Sequence, residues 1–394
     1  MNRIDFGSAP QTFFADPYPT YAQLAAEGPV HPVGSVDGTR QWLVIGHEEA
    51  RAALTDPAFV KAPPGDYHAG APATASNRNL LELDPPHHTR LRRLVSGVFT
   101  TRRVEALRPR IEKITGELLD DLARNPERRD DLVARFAFPL PMTVICELLG
   151  VPDLDRDRFR TWSQAAVDPR DAEHHHQTLV EMTAYLGALI AEKSEAPGED
   201  LLSDLIRTRD EDGDRLSPDE LVGMAFLLLV AGHETTVNLI ANGTRALLTH
   251  PEQLAAVRAD PEGLLPAAIE EVLRWDGPVE NATYRWVDRD LEFGGVSMSA
   301  GDSVLVSLAG SDRDGDRWED PEVFDVHRPA RPHLAFGHGI HFCVGAPLAR
   351  LEARIAFTAL LERFPGLALD PDGPPLTWIT GSLIRGTTTL PVRW

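Results

Sequence analysis

Cysteine is nearly absent. Two occur in 394 residues, Cys146 and Cys343, in opposite halves of the chain, which excludes a disulfide framework and a paired-cysteine zinc site. Positive charge is also scarce: 39 Lys and Arg against 60 Asp and Glu leave a formal charge of −21. A chain this acidic repels phosphate backbones, so no nucleic-acid partner is expected. Lysine is confined to Lys61, Lys113 and Lys193. That arginine bias, with much alanine and proline, is typical of GC-rich bacteria. Long hydrophobic runs are missing too. The longest near-continuous one, residues 221–232, falls short of the ~20 residues that span a bilayer. Residues 1–9 hold no apolar stretch of the signal-peptide kind. A cytoplasmic protein without membrane contact is expected. Apolar residues are present in quantity, at 42% of the chain, enough for a sizeable core and incompatible with intrinsic disorder.

The patterning is helical, without internal repeats. Apolar residues recur at three- and four-residue spacing over 18–27, 48–54, 87–99, 101–123, 142–149, 156–166, 176–194, 218–250, 251–260 and 264–275. Strand candidates are short and scattered: 30–36 with 41–45, 284–287 with 291–293, 303–307, and the tail 382–392. This predicts one mainly α domain over residues 1–394, with small sheets. Ser217-Pro218-Asp219-Glu220 supplies an N-cap serine, a proline at the first helical position and an acid at the third, a capping box. No proline follows until Pro251, so a helix of about 30 residues and ~45 Å should cross the interior. Residues 61–79, rich in Pro, Gly and Ala, predict a long loop. Residues 195–199 and 210–215 predict exposed turns.

The second cysteine sits in Phe336-Gly337-His338-Gly339-Ile340-His341-Phe342-Cys343-Val344-Gly345, ahead of an amphipathic segment 346–364. Glycines at 337, 339 and 345 permit turns that other residues resist. A cysteine just before a helix has its thiolate favoured by free amides and the positive helix end. Such a thiolate can be a nucleophile or a metal ligand. Glu234 and Thr235 stand within the long helix, in a stretch that otherwise reads as core. A carboxylate buried there is costly unless partnered or functional, and the threonine can bond the carbonyl of Ala231 and loosen the helix. His174-His175-His176 do not share a helix face and read as a solvated turn, while Cys146 reads as core.

The cysteine segment resembles the heme-binding loop of the cytochromes P-450. Other segments match that family in order along nearly the whole chain. Glu271-Val272-Leu273-Arg274 is similar to its Glu-x-x-Arg pair, and 321–329, with Arg328, resembles the segment that supplies a third member. Ala231-Gly232-His233-Glu234-Thr235-Thr236 resembles the acid–alcohol motif, and residues 84–92 resemble the start of the helix that holds the heme propionates. One departure is His87, where the family usually has glutamate; that position should face solvent. The resemblance implies the cytochrome P-450 fold, with heme b beneath a long central helix and Cys343 as axial ligand to the iron. Phe336 would pack beside the thiolate. His88, Arg92, Arg285 and His341 would clamp the propionates, and Ala231 and Gly345 would also contact the cofactor. Glu234 and Thr235 would seat O2 and deliver protons. Glu271, Arg274 and Arg328 would be structural.

The phrases Arg274-Trp275-Asp276-Gly277-Pro278 and Ile340-His341-Phe342-Cys343 are similar to the soluble bacterial type that tailors polyketides and macrolides in antibiotic and secondary metabolism. The implied activity is a monooxygenase inserting one oxygen atom of O2 into a C–H bond of a medium-to-large apolar natural product, by hydroxylation or epoxidation. Electrons would come from NAD(P)H through ferredoxin reductase and ferredoxin, docked on Arg93, Arg350 and Arg354 with Arg102 and Arg103 nearby. Two alternatives are a P-450 with another outcome, such as aryl coupling or peroxygenation, and a catalytically silent P-450-like partner. Intact Cys343, Glu234 and Thr235 argue against the latter. Substrate choice is assigned to 61–79, 168–194 and the tail near Leu383 and Ile384.

Overall fold

The computed structural model describes residues 6, 9–34, 40–62, 78–97, 99–152, 158–159, 161–162, 172–208 and 213–394, with 172–175 described by backbone alone. Most of the expected loop 61–79 and helix 156–166, and part of the turn 210–215, lie outside the described residues.

Ser217 opens the long helix as its sequence directs. Its hydroxyl accepts the Glu220 amide at 3.3 Å, and the Glu220 carboxylate accepts the Ser217 amide at 2.7 Å. Pro218 fills a first-turn position that needs no amide donor. The helix runs Pro218–Thr249, 32 residues and about 48 Å. By length and composition it could cross a membrane, yet 67% of its most apolar window is buried inside the protein. Helices Pro139–Leu149, Ala172–Glu195, Pro261–Asp276 and Ala346–Arg363 pack against it. Gly243 sets one of these approaches: a Cβ there would lie 2.4 Å from the Phe357 ring. Cys146, fully buried, contributes its sulfur to this core beside Met142.

The expected helix 101–123 is two helices, Thr101–Ala106 and Arg108–Ala123. Pro109 has no amide to donate to the preceding turn and favours a helix start. The expected helix 87–99 ends at Ser96, before Gly97.

The strand pairings depart most from expectation. A five-stranded sheet orders Val30–Val33, Gln41–Val44, Ser303–Val306, Arg285–Val287 and Phe59–Val60. Strand 285–287 therefore does not pair with 291–293; it lies antiparallel between Ser303–Val306 and Phe59–Val60. Leu291–Phe293 instead folds back on Val296–Met298. Gly294 and Gly295, with φ of +55° and +81°, form the two-residue turn that such a hairpin prefers. In the tail only Pro391–Arg393 is a strand, held between Arg129–Asp131 and Ala368–Leu369. Residues 382–387 make isolated bridges, Val279 to Ile384 and Trp378 to Thr387.

Candidate functional site

Two glycines shape the turn that presents Cys343. Gly337 and Gly339 have φ of +71° and +72°, which side chains resist, and a Cβ at 339 would stand 3.0 Å from the Leu54 carbonyl oxygen. Gly345 differs from expectation: its φ of −84° suits any residue. A Cβ there would sit 3.8 Å from Cys343 Sγ, an ordinary contact, so neither backbone nor packing within the chain requires glycine at 345. The Cys343 amide donates to the Phe336 carbonyl at 2.9 Å and closes the turn. Burial pushes the Cys343 thiol up, while the Gly345 and Ala346 amides and the charges of Arg92 and Arg350 pull it down.

Three elements bring cations and donors to the same place. Helix His87–Ser96 supplies His88 and Arg92, strand Arg285–Val287 supplies Arg285, and the cysteine loop supplies His341. The His88 and His341 rings lie 4.4 Å apart between centroids. His88 Nδ1 and Nε2, Arg285 Nε and His341 Nε2 are buried without hydrogen-bond partners among the described residues. Buried polar atoms are nearly always paired, so orphans clustered here call for a ligand rich in acceptor oxygens. The charges agree. Burial pulls Arg285 down to about 10. Burial, then the neighbouring Arg285, His88 and Lys61, push His341 down to about 3. Burial and Arg92 lower His88. An anion among these groups would relieve each strain. The carboxylates of a heme beside Cys343 fit that demand. His87 is exposed.

Within the central helix, the Thr235 hydroxyl donates to the Ala231 carbonyl at 2.9 Å, the local bond its sequence position predicts. Ala231 is exposed and Thr235 half-exposed, in a stretch where His233, Glu234 and Thr236 are buried. The Glu234 carboxyl meets His233 Nε2 at 3.1 Å. His233 Nδ1 lies 2.7 Å from the Leu229 carbonyl; that oxygen only accepts, so Nδ1 carries a hydrogen. Asn238 donates to the Glu234 carbonyl at 2.9 Å.

Glu271, Arg274 and Arg328 meet. Arg274 donates twice to the Glu271 carboxylate at 2.8 Å, and Arg328 Nε donates to it at 3.2 Å. Arg274 also donates to the Pro321 and Val323 carbonyls, and Asp325 N to Glu271, so the triad fixes segment 321–329. The proposed docking arginines do not form one set. Arg93 and Arg354 are exposed, but Arg350 pairs with Glu270 through two bonds of 2.6 and 2.7 Å and lies 4.5 Å over the Phe336 ring. His176 is exposed, and no metal-binding cluster of His, Cys, Asp or Glu occurs among the described residues.

One buried cation escaped the sequence reading. Lys61, 3% exposed, donates to Thr283 Oγ1 at 2.6 Å and to the Tyr284 carbonyl at 2.7 Å, and its charge bears on His341. Lysine's rarity was the available signal.

Known proteins resemble this chain over nearly its whole length. The family described as Cytochrome P450 matches residues 167–389. Cytochrome P450 monooxygenase PikC of Streptomyces venezuelae is 55% identical over 99% of this chain and 94% of that protein. The 6-deoxyerythronolide B hydroxylase of Saccharopolyspora erythraea is 46% identical over 97% of each. The structure of the ligand-free P450 monooxygenase TamI superposes with a TM-score of 0.86 at 46% identity, covering 98% of this chain and 94% of that one. Agreement of this extent in both sequence and backbone has one reading: the chain belongs to the cytochrome P450 family, as a monooxygenase whose cofactor is heme.

Proposed function

We propose that Cys343 would be the thiolate ligand of heme b and that His88, Arg92, Arg285 and His341 would hold its two carboxylates. The enzyme inserts one oxygen atom of O2 into a C–H bond of a medium-to-large apolar natural product of the macrolide or polyketide kind. The observation that carries this is the set of orphaned, buried donors beside a cysteine at a helix start. Bound there, the heme would supply O2 activation, with Cys343 as its thiolate ligand.

The chain's own residues bind, orient and move protons. Phe336 fixes the cysteine turn through its carbonyl, and Arg350 braces the Phe336 ring. Ala231 presents a small surface where O2 and substrate can approach the helix. Thr235, by releasing Ala231 O, would free its half-exposed hydroxyl to donate to a ligand outside the helix. Glu234, held in place by His233, would relay solvent protons to that hydroxyl. Glu271, Arg274 and Arg328 hold segment 321–329 and take no part in turnover. Hydroxylation is supported by the hydroxylase relative. An apolar polyketide substrate is supported by that same relative, a hydroxylase of 6-deoxyerythronolide B. Electrons arrive from NAD(P)H through ferredoxin reductase and ferredoxin.

Cys343→Ser tests the central assignment. The reduced, carbon-monoxide-treated variant should lose the red-shifted Soret band that names the family, and turnover with it, while far-ultraviolet dichroism stays unchanged. A variant retaining both band and turnover overturns it.

A further inference from the structure

Phe59–Val60 pairs antiparallel with Arg285–Val287, Phe59 opposite Val287 and Val60 opposite Trp286. Lys61 follows this pair as a bend outside the strand, and the charge of Arg285 reaches it. Both side chains are buried, 3% and 5% exposed, and like charges brought near each other repel. Desolvation pulls Lys61 down to about 8 and Arg285 to about 10; Glu82 and Asp84 raise Lys61 against the repulsion of Arg285, and Asp84 raises Arg285. The available acids relieve it only in part. Asp84 accepts the Lys61 amide at 2.7 Å through its carboxylate, and Glu82 is exposed. The ammonium is nonetheless held firmly, by Thr283 Oγ1 and the carbonyls of Thr283 and Tyr284. Those two residues immediately precede Arg285, so Lys61 also fixes the chain from which Arg285 projects. A further anion beside these two buried cations would add to the partial relief that Asp84 and Glu82 give.

We infer that Lys61 is a further member of the heme-carboxylate site, acting as a positioning residue for Arg285 and as a fixed positive charge behind it. Its ammonium hydrogens are already committed to Thr283 and Tyr284, so it contributes through its field and not through a direct hydrogen bond. This rests on the proposed role of His88, Arg92, Arg285 and His341, and the test separates the two.

Heme loss from the purified holoenzyme to excess apomyoglobin is the readout, followed as the Soret band transfers. Lys61→Met should lose heme roughly five- to fiftyfold faster, the scale of one partly buried charge contact. Lys61→Arg, which keeps the charge, should lie near wild type, and Thr283→Val, which keeps the ammonium but loosens it, should fall between. If Lys61→Met does not accumulate as holoenzyme, Thr283→Val and Lys61→Arg carry the test, and equal loss rates for Thr283→Val and wild type overturn the inference. Equal acceleration by Lys61→Met and Lys61→Arg also overturns it, since shape and not charge would then matter. If His88→Ala and Arg285→Ala accelerate loss while Lys61→Met does not, only Lys61 is misassigned. If none of the three accelerates it, the carboxylate site itself is wrong.

Discussion

Thr235 illustrates what one side chain can do to a helix. Its hydroxyl already bonds the Ala231 carbonyl, so it exchanges one acceptor for another without losing a hydrogen bond. Thr235→Ala removes the donor yet leaves the backbone helical, because alanine is the best helix former. The expected outcome is product formation slowed by about 10²-fold or more, the lower range for a positioned proton donor, with electrons diverted to peroxide. Measuring NADPH consumed, product and peroxide together checks this, and unchanged coupling would remove Thr235 from the proton path. At this scale the site was legible wherever its signal is local. The Phe336–Gly345 loop and the Ala231–Thr236 turn are contiguous stretches whose residue types state their geometry. Lys61 was not legible, because its meaning comes from Arg285, which reaches it only through a strand pairing between distant segments.

Along helix Ala346–Arg363 the buried face holds one acid. Glu352 is 1% exposed and its Oε2 has no partner among the described residues. Burial pushes its carboxyl from 4.5 up to about 8. The unfolded chain ionises above 4.5 while the folded one stays neutral, so the stability present below that pH is lost progressively until about 8. The loss approaches about 1.4 kcal/mol per pH unit at most. Glu352→Gln keeps the shape and cannot ionise. Thermal melts should therefore show little difference from wild type near pH 4.5, and a higher melting temperature for the variant near pH 8. Parallel melting curves across that range would show that Glu352 finds a partner when ionised. Helices as a class were readable because their spacing is internal to each segment. Pro109 breaking 101–123 was available in the sequence and outweighs the apolar pattern around it. Sheet partners were not readable: Gln41–Val44 pairs in parallel with Ser303–Val306, a choice made by packing of the whole chain. The exception is Leu291–Met298, where Gly294-Gly295 announces a hairpin.

Taken whole, the molecule carries −21 and should repel an acidic ferredoxin, so any docking face must be locally basic. Ion pairs within the chain narrow the choice. Arg350 is neutralised by Glu270, Arg103 pairs with Asp204 and Arg90 with Asp214 and Glu220. Arg102 and Arg354 are exposed. Glu270 is held down to about 2 despite burial, chiefly by hydrogen bonds from Arg350 and His333, so the Arg350 pair persists at neutral pH. Reversing Arg350 would therefore disturb Phe336 and the cysteine turn, confounding docking with cofactor effects. Arg354 offers the cleaner test. Arg354→Glu should raise the ferredoxin concentration for half-maximal reduction by about two- to fivefold, the size of an exposed charge contact, without changing substrate affinity or the Soret spectrum. Complementary charge acts mainly on encounter and is screened beyond ~8 Å at physiological salt. Reduction of the wild-type enzyme should thus slow with ionic strength, and the Arg354→Glu enzyme should slow less. Stopped-flow reduction rates flat in salt, and equal for the two proteins, would place the donor on another face.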